Sequence, residues 1–395
     1  MKRMRTAATA LSAVLLIAGG CTSDGDRGNS TSSPGSTTSG SPAAPTASPS
    51  SGQPFVVTAI SEFDDPWAMT FLPDGAALVT ERGGTLRRVD VATGEAVEVD
   101  GVPEVEDDGQ GGLHDVVLGP TFAKDRRVYL SWVEAGDGGS GGAVGRATLS
   151  EGARPSLEGL EVIWRPRPKV SGNGHFSLRM AFDSGGELLY VTSGERQKMA
   201  PAQDLTNTLG TIVRLRPDGS AAPDNPFAGR GGVTAQIWSY GHRNPLGIAF
   251  DADGRLWSDE MGPRGGDEVN LIERGANHGW PEVSNGSHYS GEEIPDHAAG
   301  DGYAAPKVWW NPSVSPAGMM IYSGSAFPEW RGDAFIGALS GEALIRVDLD
   351  GTSATKGDQW SMGARIREVE QGPDGAIWVL EDGSGGRLLR LTPPG

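Results

Sequence analysis

A short two-strand phrase recurs six times along this chain of 395 residues. Each copy is an apolar run, a turn and a second apolar run. In three copies the turn is Asp-Gly, which is a strong signal for a β-hairpin. The copies are Ala68–Thr80, Asp115–Trp132, Arg179–Gly194, Gly247–Glu260, Gly318–Leu339 and Ile366–Asp382. No segment sustains the 3.6-residue periodicity of an amphipathic helix, so we expect helices to be few and short.

The spacing of the copies fits repeated four-stranded units. Five intervals separate Asp74 in the first copy from Asp374 in the last, and they average about 60 residues. A four-stranded blade with its loops needs about 40–50 residues, so the extra length is loop. Six such units predict an all-β chain that forms a six-bladed β-propeller of four-stranded antiparallel blades. A pair of separate sandwiches would not account for six similar hairpins.

The first 53 residues are predicted to lie outside this fold. Residues 1–20 join a basic start to an apolar run too short to span a bilayer, which is typical of a signal peptide. Ala18-Gly19-Gly20-Cys21 resembles a lipobox that holds the single cysteine, and an ordinary secretory signal is the alternative. Residues 21–53 are rich in Ser, Thr, Pro and Gly and predict a flexible tether. We therefore expect a propeller over 54–395, outside the cytoplasm and anchored to the cell membrane by a lipid on Cys21.

Charge and motif content exclude several classes of function. A net charge of −18 disfavours nucleic-acid binding through broad surface charge. The single cysteine excludes an intramolecular disulfide and a Cys-x-x-Cys metal site. The six histidines show neither HxH nor HExxH spacing, and the chain has no Walker A or GxSxG motif. In a propeller, the loops of one face converge on the axis, so functional residues can come from distant parts of the chain.

A histidine and a glutamate flank the third hairpin. His175 stands just before its first strand and Glu195 follows its second strand. The hairpin could bring the carboxylate close to the imidazole, and such a pair makes a good general base near neutral pH. A structural histidine at the top of a blade is the alternative.

The segment after Arg243-Asn244 contains groups that suit a hard cation. Gly262-Pro263 forces an irregular backbone with free carbonyls, and Asp267 and Glu268 add carboxylates nearby. Oxygen ligands of these kinds are preferred by calcium. A solvated acidic loop is the alternative.

Two arginines open the last repeat. Arg365 and Arg367 would point to the same face of a strand. Side by side, they suit an anion that carries several carboxylates or phosphates. Pairing with Glu368 or Glu370 is the alternative.

Taken together, these segments resemble the soluble aldose sugar dehydrogenases of the glucose/sorbosone dehydrogenase family, which use pyrroloquinoline quinone (PQQ). The resemblance runs from Asp64 to the C-terminus. Its markers are DGQGGLHDVVLGP, NGHFSLRMAF, AQDLTNTLGTIVRL, WSYGHRNPLGIAF, MGPRGGDEVNL, NHGWPEV and RIREVEQGPDGAIWVLED. It implies a monomeric six-bladed propeller that oxidises the C1 hydroxyl of aldoses to lactones by hydride transfer to PQQ. Electrons then pass to an external acceptor.

The resemblance also implies roles for single residues. His175 would take the proton from the C1 hydroxyl, Glu195 would orient His175, and Arg243 would stabilise charge on the quinone oxygen. The implied cofactor contacts are Gln110, Arg243, Asn244, Arg365, Arg367 and Asp382. The main-chain carbonyls of Gly262 and Pro263 would hold the calcium ion that also contacts the cofactor. Arg179 matches a family arginine to which we assign a structural role.

Three departures from the family pattern stand out. Ser340 occupies a position where relatives often carry a lysine beside the cofactor. Relatives hold a second calcium ion with Glu and Tyr ten residues apart, whereas Glu268 here pairs with His278, a poor calcium ligand. Phe176-Ser177-Leu178 replaces small residues after the histidine, which changes the pocket shape.

Two other functions remain open from the sequence. A calcium-dependent propeller lactonase would need a carboxylate-rich calcium centre, and Arg243, Arg365 and Arg367 argue against it. A non-catalytic binding propeller is kept open by Ser340, and the intact His175 argues against it.

Overall fold

The computed structural model describes residues 46–48, 52–150, 152 and 154–395. The predicted signal peptide, Cys21 and most of the predicted tether lie outside the described residues. The described chain is nearly all β-structure, and its six four-stranded antiparallel sheets confirm the predicted six-bladed propeller.

Each predicted hairpin forms the two innermost strands of one blade. The first strands of successive blades contact one another and close a ring around the axis. From the inner strand outward, blade 1 is Pro66–Phe71, Ala77–Glu81, Thr85–Val89 and Ala96–Glu98, and blade 2 is Leu113–Leu118, Arg127–Gly136, Gly139–Leu149 and Leu157–Trp164. Blade 3 is Ser177–Phe182, Leu189–Ser193, Thr211–Leu215 and Ile237–Tyr240, and blade 4 is Pro245–Phe250, Leu256–Glu260, Asp267–Ile272 and Val308–Trp310. Blade 5 is Pro316–Ile321, Ala334–Ala338, Ala343–Asp350 and Ser353–Ser361.

Blade 6 joins two distant parts of the described chain. Its inner strands are Ile366–Gln371, Ile377–Glu381 and Ser384–Thr392, and its fourth strand is Val56–Asp64. The fourth strand pairs antiparallel with the third, from Val56 opposite Thr392 to Asp64 opposite Ser384. A short strand, Thr46–Ser48, lies inside the segment predicted as a tether and pairs with the fourth strand. Ladder hydrogen bonds therefore close the ring of blades.

Helices are few and short, as predicted. The α-helix is Phe122–Asp125, and the 3₁₀ helices are Ala200–Gln203, Ala228–Arg230, Gly232–Gln236 and Pro328–Trp330. A two-residue ladder joins Arg264–Gly265 to Gly286–Ser287. Within the described ranges, no helix combines the length and apolar character that crossing a membrane requires.

The hydrophobic core is divided into sectors between neighbouring blades. Leu78 of blade 1 packs with Leu130 of blade 2, and Val133 of blade 2 packs with Val191 of blade 3. Comparable clusters fill each of the other four junctions. Burying one such side chain contributes about 1.5–3 kcal/mol. Each blade is thus fixed by its neighbours, and the starts of the inner strands meet around one cavity.

Candidate active site

A cavity of about 390 Å³ lies where the inner strands begin. Its size falls within the range of about 300–1,000 Å³ that is usual for ligand and cofactor pockets. Five sequence-predicted site residues line it although they are far apart in the chain: Gln110, Asn244, Arg365, Arg367 and Asp382. The fold therefore brings five of the six predicted cofactor-binding residues to one cavity, whereas the sixth, Arg243, lines a separate small cavity that shares Met261 with it.

His175 and Glu195 lie side by side next to this cavity. His175 Nδ1 is 2.6 Å from Glu195 Oε1, and both side chains are buried. Nε2 of His175 makes no hydrogen bond within the described part of the chain. An imidazole held at Nδ1 by a carboxylate keeps Nε2 as an acceptor, which is the arrangement of a general base.

The backbone around the histidine is held in an uncommon conformation. His175, Ser177 and Leu178 have positive φ values of 51°, 58° and 74°. Residues with side chains adopt this region at an energetic cost, and such strain is often stored at functional sites. The main-chain N–H of His175 donates to Oε1 of Gln110 at 2.7 Å. Gln110 thus supports the loop that presents the histidine.

Glu195 uses both carboxylate oxygens. Oε1 is hydrogen-bonded to Nδ1 of His175, and Oε2 accepts hydrogen bonds from the main-chain N–H groups of Lys198 and Met199. Its own main-chain N–H donates to the carbonyl oxygen of Arg243 at 3.0 Å. These bonds fix the carboxylate and connect the histidine loop to the arginine.

Burial and charge set the protonation of this pair. Burial lowers the pKa of His175, the hydrogen bond that its Nδ1–H donates to Glu195 opposes that change, and Arg243 adds to the lowering. Burial alone would raise the pKa of Glu195, but the bond to His175 and the N–H of Met199 bring it below its ordinary value. At neutral pH the pair is therefore a neutral imidazole beside a carboxylate.

Arg243 is buried with one donor left without a partner. Its Nη1 donates to the carbonyl oxygen of Met261 at 2.9 Å, and its Nη2 donates to Tyr289 Oη at 3.1 Å. Nε has no hydrogen-bond partner among the described residues. The next residue, Asn244, accepts a hydrogen bond from Ser177 Oγ at 3.0 Å. A buried, unpaired donor is costly, so Nε is available to an incoming acceptor.

Arg365 and Arg367 share a single carboxylate. Arg365 Nε is 2.6 Å from one oxygen of Asp382, and Arg367 Nη2 is 2.6 Å from the other. They therefore do not pair with Glu368 or Glu370, the alternative that the sequence left open. Burial alone would raise the pKa of Asp382, but the two arginines hold it below its ordinary value. Two cations against one anion leave this wall of the cavity with a positive charge.

The start of the inner strands supplies residues that the sequence analysis missed. The equivalent first residues are Pro66, Leu113, Ser177, Pro245, Pro316 and Ile366. The following position carries Trp67, His114 and Arg367 in blades 1, 2 and 6, and all three line the cavity. An alignment of the six repeats at this position would have identified Trp67 and His114. The ion pair of Arg82 with Asp65, 3.1 Å apart, also lines the cavity.

The stacked rings of Trp67 and His114 form the floor of the cavity, and Arg179 packs against Trp67. Its guanidinium carbon is 4.0 Å from the centre of the Trp67 ring, and Trp67 stacks on His114 with ring centres 4.3 Å apart. Arg179 pairs with buried Glu368 and donates to the carbonyl oxygen of Leu246 at 2.7 Å. The position suits the structural role expected for Arg179, because it connects the inner strand of blade 3 to those of blades 1, 4 and 6.

The Gly262-Pro263 turn presents main-chain oxygens. Neither carbonyl accepts a hydrogen bond within the described ranges. The N–H of Gly262 donates to Asp267 Oδ1 at 2.8 Å, and the other oxygen of Asp267 accepts the N–H groups of Val314 and Ser315. Asp267 is buried, so the loop is not a solvated acidic loop. Its carboxylate holds the turn in place and leaves the carbonyls open to a hard cation.

Glu268 and His278 line a second, very small cavity of about 10 Å³. Glu268 accepts a hydrogen bond from Asn270 at 3.1 Å. Both ring nitrogens of His278 are buried without a partner in the described part of the chain. Among the described residues, no group of three or more His, Cys, Asp or Glu side chains has the arrangement of a metal site. The predicted second calcium site stays a prediction.

Ser340 contacts the cavity through another serine. Its hydroxyl lies 2.8 Å from the hydroxyl of Ser315, which lines the cavity. Phe176 and Ser177 also line the cavity, and the Arg196 guanidinium lies 3.8 Å from the centre of the Phe176 ring. The larger residues after the histidine therefore shape the pocket, as the sequence suggested.

Comparison with known proteins gives a consistent result. Residues 63–390 match the family described as glucose/sorbosone dehydrogenase. The chain is 42% identical over 340 residues to aldose sugar dehydrogenase YliI of Escherichia coli, covering 84% of this chain and 91% of that protein.

Two solved structures share the architecture. The apo form of the soluble aldose sugar dehydrogenase from Escherichia coli superposes with a TM-score of 0.82 at 41% identity, covering 86% of this chain and 99% of that one. The PQQ-bound form of an aldose sugar dehydrogenase from Streptomyces coelicolor superposes with a TM-score of 0.73 at 30% identity, covering 85% and 96%.

Proposed function

The chain belongs to the glucose/sorbosone dehydrogenase family and is a dehydrogenase, and from that premise we propose its reaction. It oxidises the C1 hydroxyl of aldoses to lactones, uses PQQ and calcium, and passes electrons to an external acceptor. The observation that carries this proposal is the 2.6 Å contact of His175 with Glu195 beside an arginine-walled cavity.

The residues of the cavity fit PQQ, a planar quinone that carries carboxylates. Arg365 and Arg367 give one wall a positive charge after pairing with Asp382. Arg243 keeps a buried donor that has no partner among the described residues, and the Trp67 ring provides a flat surface in the cavity. When bound, PQQ supplies a quinone that accepts a hydride. Gln110 and Asn244 line the same space and would complete the contacts.

Proton removal falls to His175. Nε2 makes no bond within the described chain, and the lowered pKa leaves it unprotonated at neutral pH. As it takes the proton from the C1 hydroxyl, the imidazole becomes a cation, and Glu195 at Nδ1 stabilises that charge. Arg243, whose carbonyl oxygen accepts the Glu195 N–H, would use its side chain to stabilise negative charge on an acceptor oxygen.

The proposed calcium ion would bind the carbonyl oxygens of Gly262 and Pro263. The turn is held from behind by Asp267, and it is adjacent to Met261, which lines the cavity. A cation held by these carbonyls would add positive charge beside the cavity and would raise the affinity for an anionic cofactor. Glu268 remains the candidate ligand for a second calcium ion.

We also propose a place in the cell. The protein would be an extracytoplasmic lipoprotein, with the lipid on Cys21 and residues 21–53 as a tether that lets a monomeric propeller stand off the membrane. The support is the lipobox-like sequence at the single cysteine.

Reconstitution tests the reaction. Chelator-treated apoprotein is titrated with PQQ in the presence and absence of calcium, with binding followed by absorption, and is then assayed with an aldose and a dye acceptor. We expect activity only when both PQQ and calcium are present. Activity with nicotinamide cofactors in their place would overturn the proposal.

A further inference from the structure

Tyr289 is the most exposed large apolar side chain in the described part of the chain, at 74% of its surface. It lies at the tip of a short hairpin. The hairpin begins at the ladder of Gly286–Ser287 with Arg264–Gly265, and the His288 N–H donates to the Glu292 carbonyl oxygen at 2.8 Å. The ring is therefore presented to solvent by an ordered segment.

The hydroxyl of Tyr289 is bound to the site. It accepts the Nη2 hydrogen bond of Arg243 at 3.1 Å, and the guanidinium carbon lies 5.8 Å from the centre of the tyrosine ring. The neighbours of that arginine, Asn244 in sequence and Met261 by hydrogen bond, line the cavity. Tyr289 does not itself line the cavity, but its hydroxyl holds the ring to Arg243, whose neighbours do.

A second residue with an exposed apolar side chain, Met199, is hydrogen-bonded through its main chain to Glu195, the partner of His175. Met199 is 45% exposed, has a φ of 59°, and its main-chain N–H binds Glu195. Two of the four residues that expose a large apolar side chain in the described part of the chain are thus bonded to the site, Tyr289 through its hydroxyl to Arg243 and Met199 through its main-chain N–H to Glu195. An exposed pair of this kind fits a ligand with both apolar and hydroxylated surface.

We propose that Tyr289 is a substrate-positioning residue whose ring packs against the apolar face of a pyranose. The inference rests on the proposed function. A sugar that places its C1 hydroxyl at His175 Nε2 would extend past Arg243 to the ring of Tyr289, which its hydroxyl holds beside that arginine. The C–H face of the pyranose would cover the ring, while the tyrosine hydroxyl keeps Arg243 in position.

Three variants separate sugar positioning by the Tyr289 ring from the support that its hydroxyl gives Arg243 and from the loss of an exposed ring as such. Tyr289→Ala removes the ring, Tyr289→Phe removes only the hydroxyl, and Trp309→Ala removes another exposed ring, 44% exposed, as a matched control. Sugar binding is measured without turnover, using 1,5-anhydroglucitol, which lacks the C1 hydroxyl, by calorimetry on cofactor-loaded protein. KM and kcat are measured for glucose, KM is measured for the dye acceptor, and the PQQ dissociation constant is measured by titration of apoprotein.

We expect Tyr289→Ala to weaken 1,5-anhydroglucitol binding and raise the glucose KM about tenfold, a change that corresponds to about 1.4 kcal/mol. Its kcat should stay within about threefold of that of Tyr289→Phe, because both variants remove the hydroxyl that Arg243 binds. Tyr289→Phe should keep sugar affinity and change the PQQ dissociation constant, because Arg243 loses an acceptor. Trp309→Ala should match the wild type.

Two results would overturn the inference. Wild-type affinity for 1,5-anhydroglucitol in Tyr289→Ala would show that the ring does not touch the sugar. A raised KM for the dye acceptor with an unchanged KM for glucose would assign the ring to acceptor docking. Failure of the proposed function would appear separately, as a wild-type protein that oxidises no aldose.

Discussion

The carboxylate of Glu195 lies 2.6 Å from Nδ1 of His175, and its second oxygen accepts two main-chain N–H groups. The imidazole is thereby fixed while Nε2 makes no hydrogen bond to any described residue, at a place where the backbone itself adopts positive φ values. This arrangement allows the general base to be tested separately from the groups that hold the cofactor.

Removing the imidazole of His175 should slow proton removal and leave the arginines that would hold the cofactor unchanged. We expect His175→Ala to lower kcat by about 10²–10⁴, which is the usual share of general base catalysis. The PQQ affinity should stay near that of the wild type, because Arg365, Arg367 and Arg243 are untouched. Steady-state kinetics and an absorption titration measure the two quantities. Near-normal turnover would rule out His175 as the base.

Neutralising Glu195 should change the pH profile as well as the rate. The carboxylate raises the pKa of His175 against the effect of burial, so Glu195→Gln lowers that pKa further. The acid limb of kcat/KM should therefore move to lower pH, while kcat falls by roughly 10²-fold or more. The exposed Glu187→Gln, in the same hairpin, is the control. A fall in rate with an unmoved acid limb would indicate a purely structural glutamate.

Placing a lysine at position 340 of the fifth blade, where relatives often carry one, should strengthen cofactor binding. A charged hydrogen bond to an anionic oxygen contributes about 1.5–3 kcal/mol, so Ser340→Lys should tighten PQQ binding by about tenfold or more. Ser353→Lys adds the same charge at an exposed position of the same blade and controls for net charge. Unchanged affinity in Ser340→Lys would show that another group, such as Arg82 on the cavity wall, already makes this contact.

The anchor can be tested at the single cysteine. Cys21→Ser should release the protein from the membrane fraction or leave its precursor unprocessed, because no other cysteine is available for the lipid. Fractionation and mass spectrometry of the mature N-terminus read the outcome. A variant that remains membrane-bound and mature would contradict the lipobox interpretation.

Contacts between blades should dominate the stability of the fold. Leu130 is fully buried between blades 1 and 2, and Leu130→Ala should lower the free energy of unfolding by about 2–5 kcal/mol. Val97→Ala, at an exposed position of blade 1, should change it by less than about 0.5 kcal/mol. Urea denaturation of both variants provides the comparison, and equal losses would contradict this account of the core.

The sequence by itself determined the number and kind of the repeating units. Paired apolar runs joined by a turn, which is Asp-Gly in three of the six copies, are local signals, and all six hairpins appear as the inner strands of blades. His175 and Glu195 were also accessible from the sequence, because one hairpin connects them. Cofactor-site residues such as Gln110 and Asn244 could be named because their motifs matched a family.

Only the tertiary structure decided which charges meet. Arg365 and Arg367 bind Asp382 across the inner hairpin of blade 6. The side chain of the adjacent Glu368 instead pairs with Arg179 of blade 3, beneath the cavity floor. Alternation along a strand sends neighbouring side chains to opposite sides, but the partner on each side depends on closure of the ring. For the same reason, the contact of Tyr289 with Arg243 and the stack of Trp67 on His114 could not be derived from local pattern.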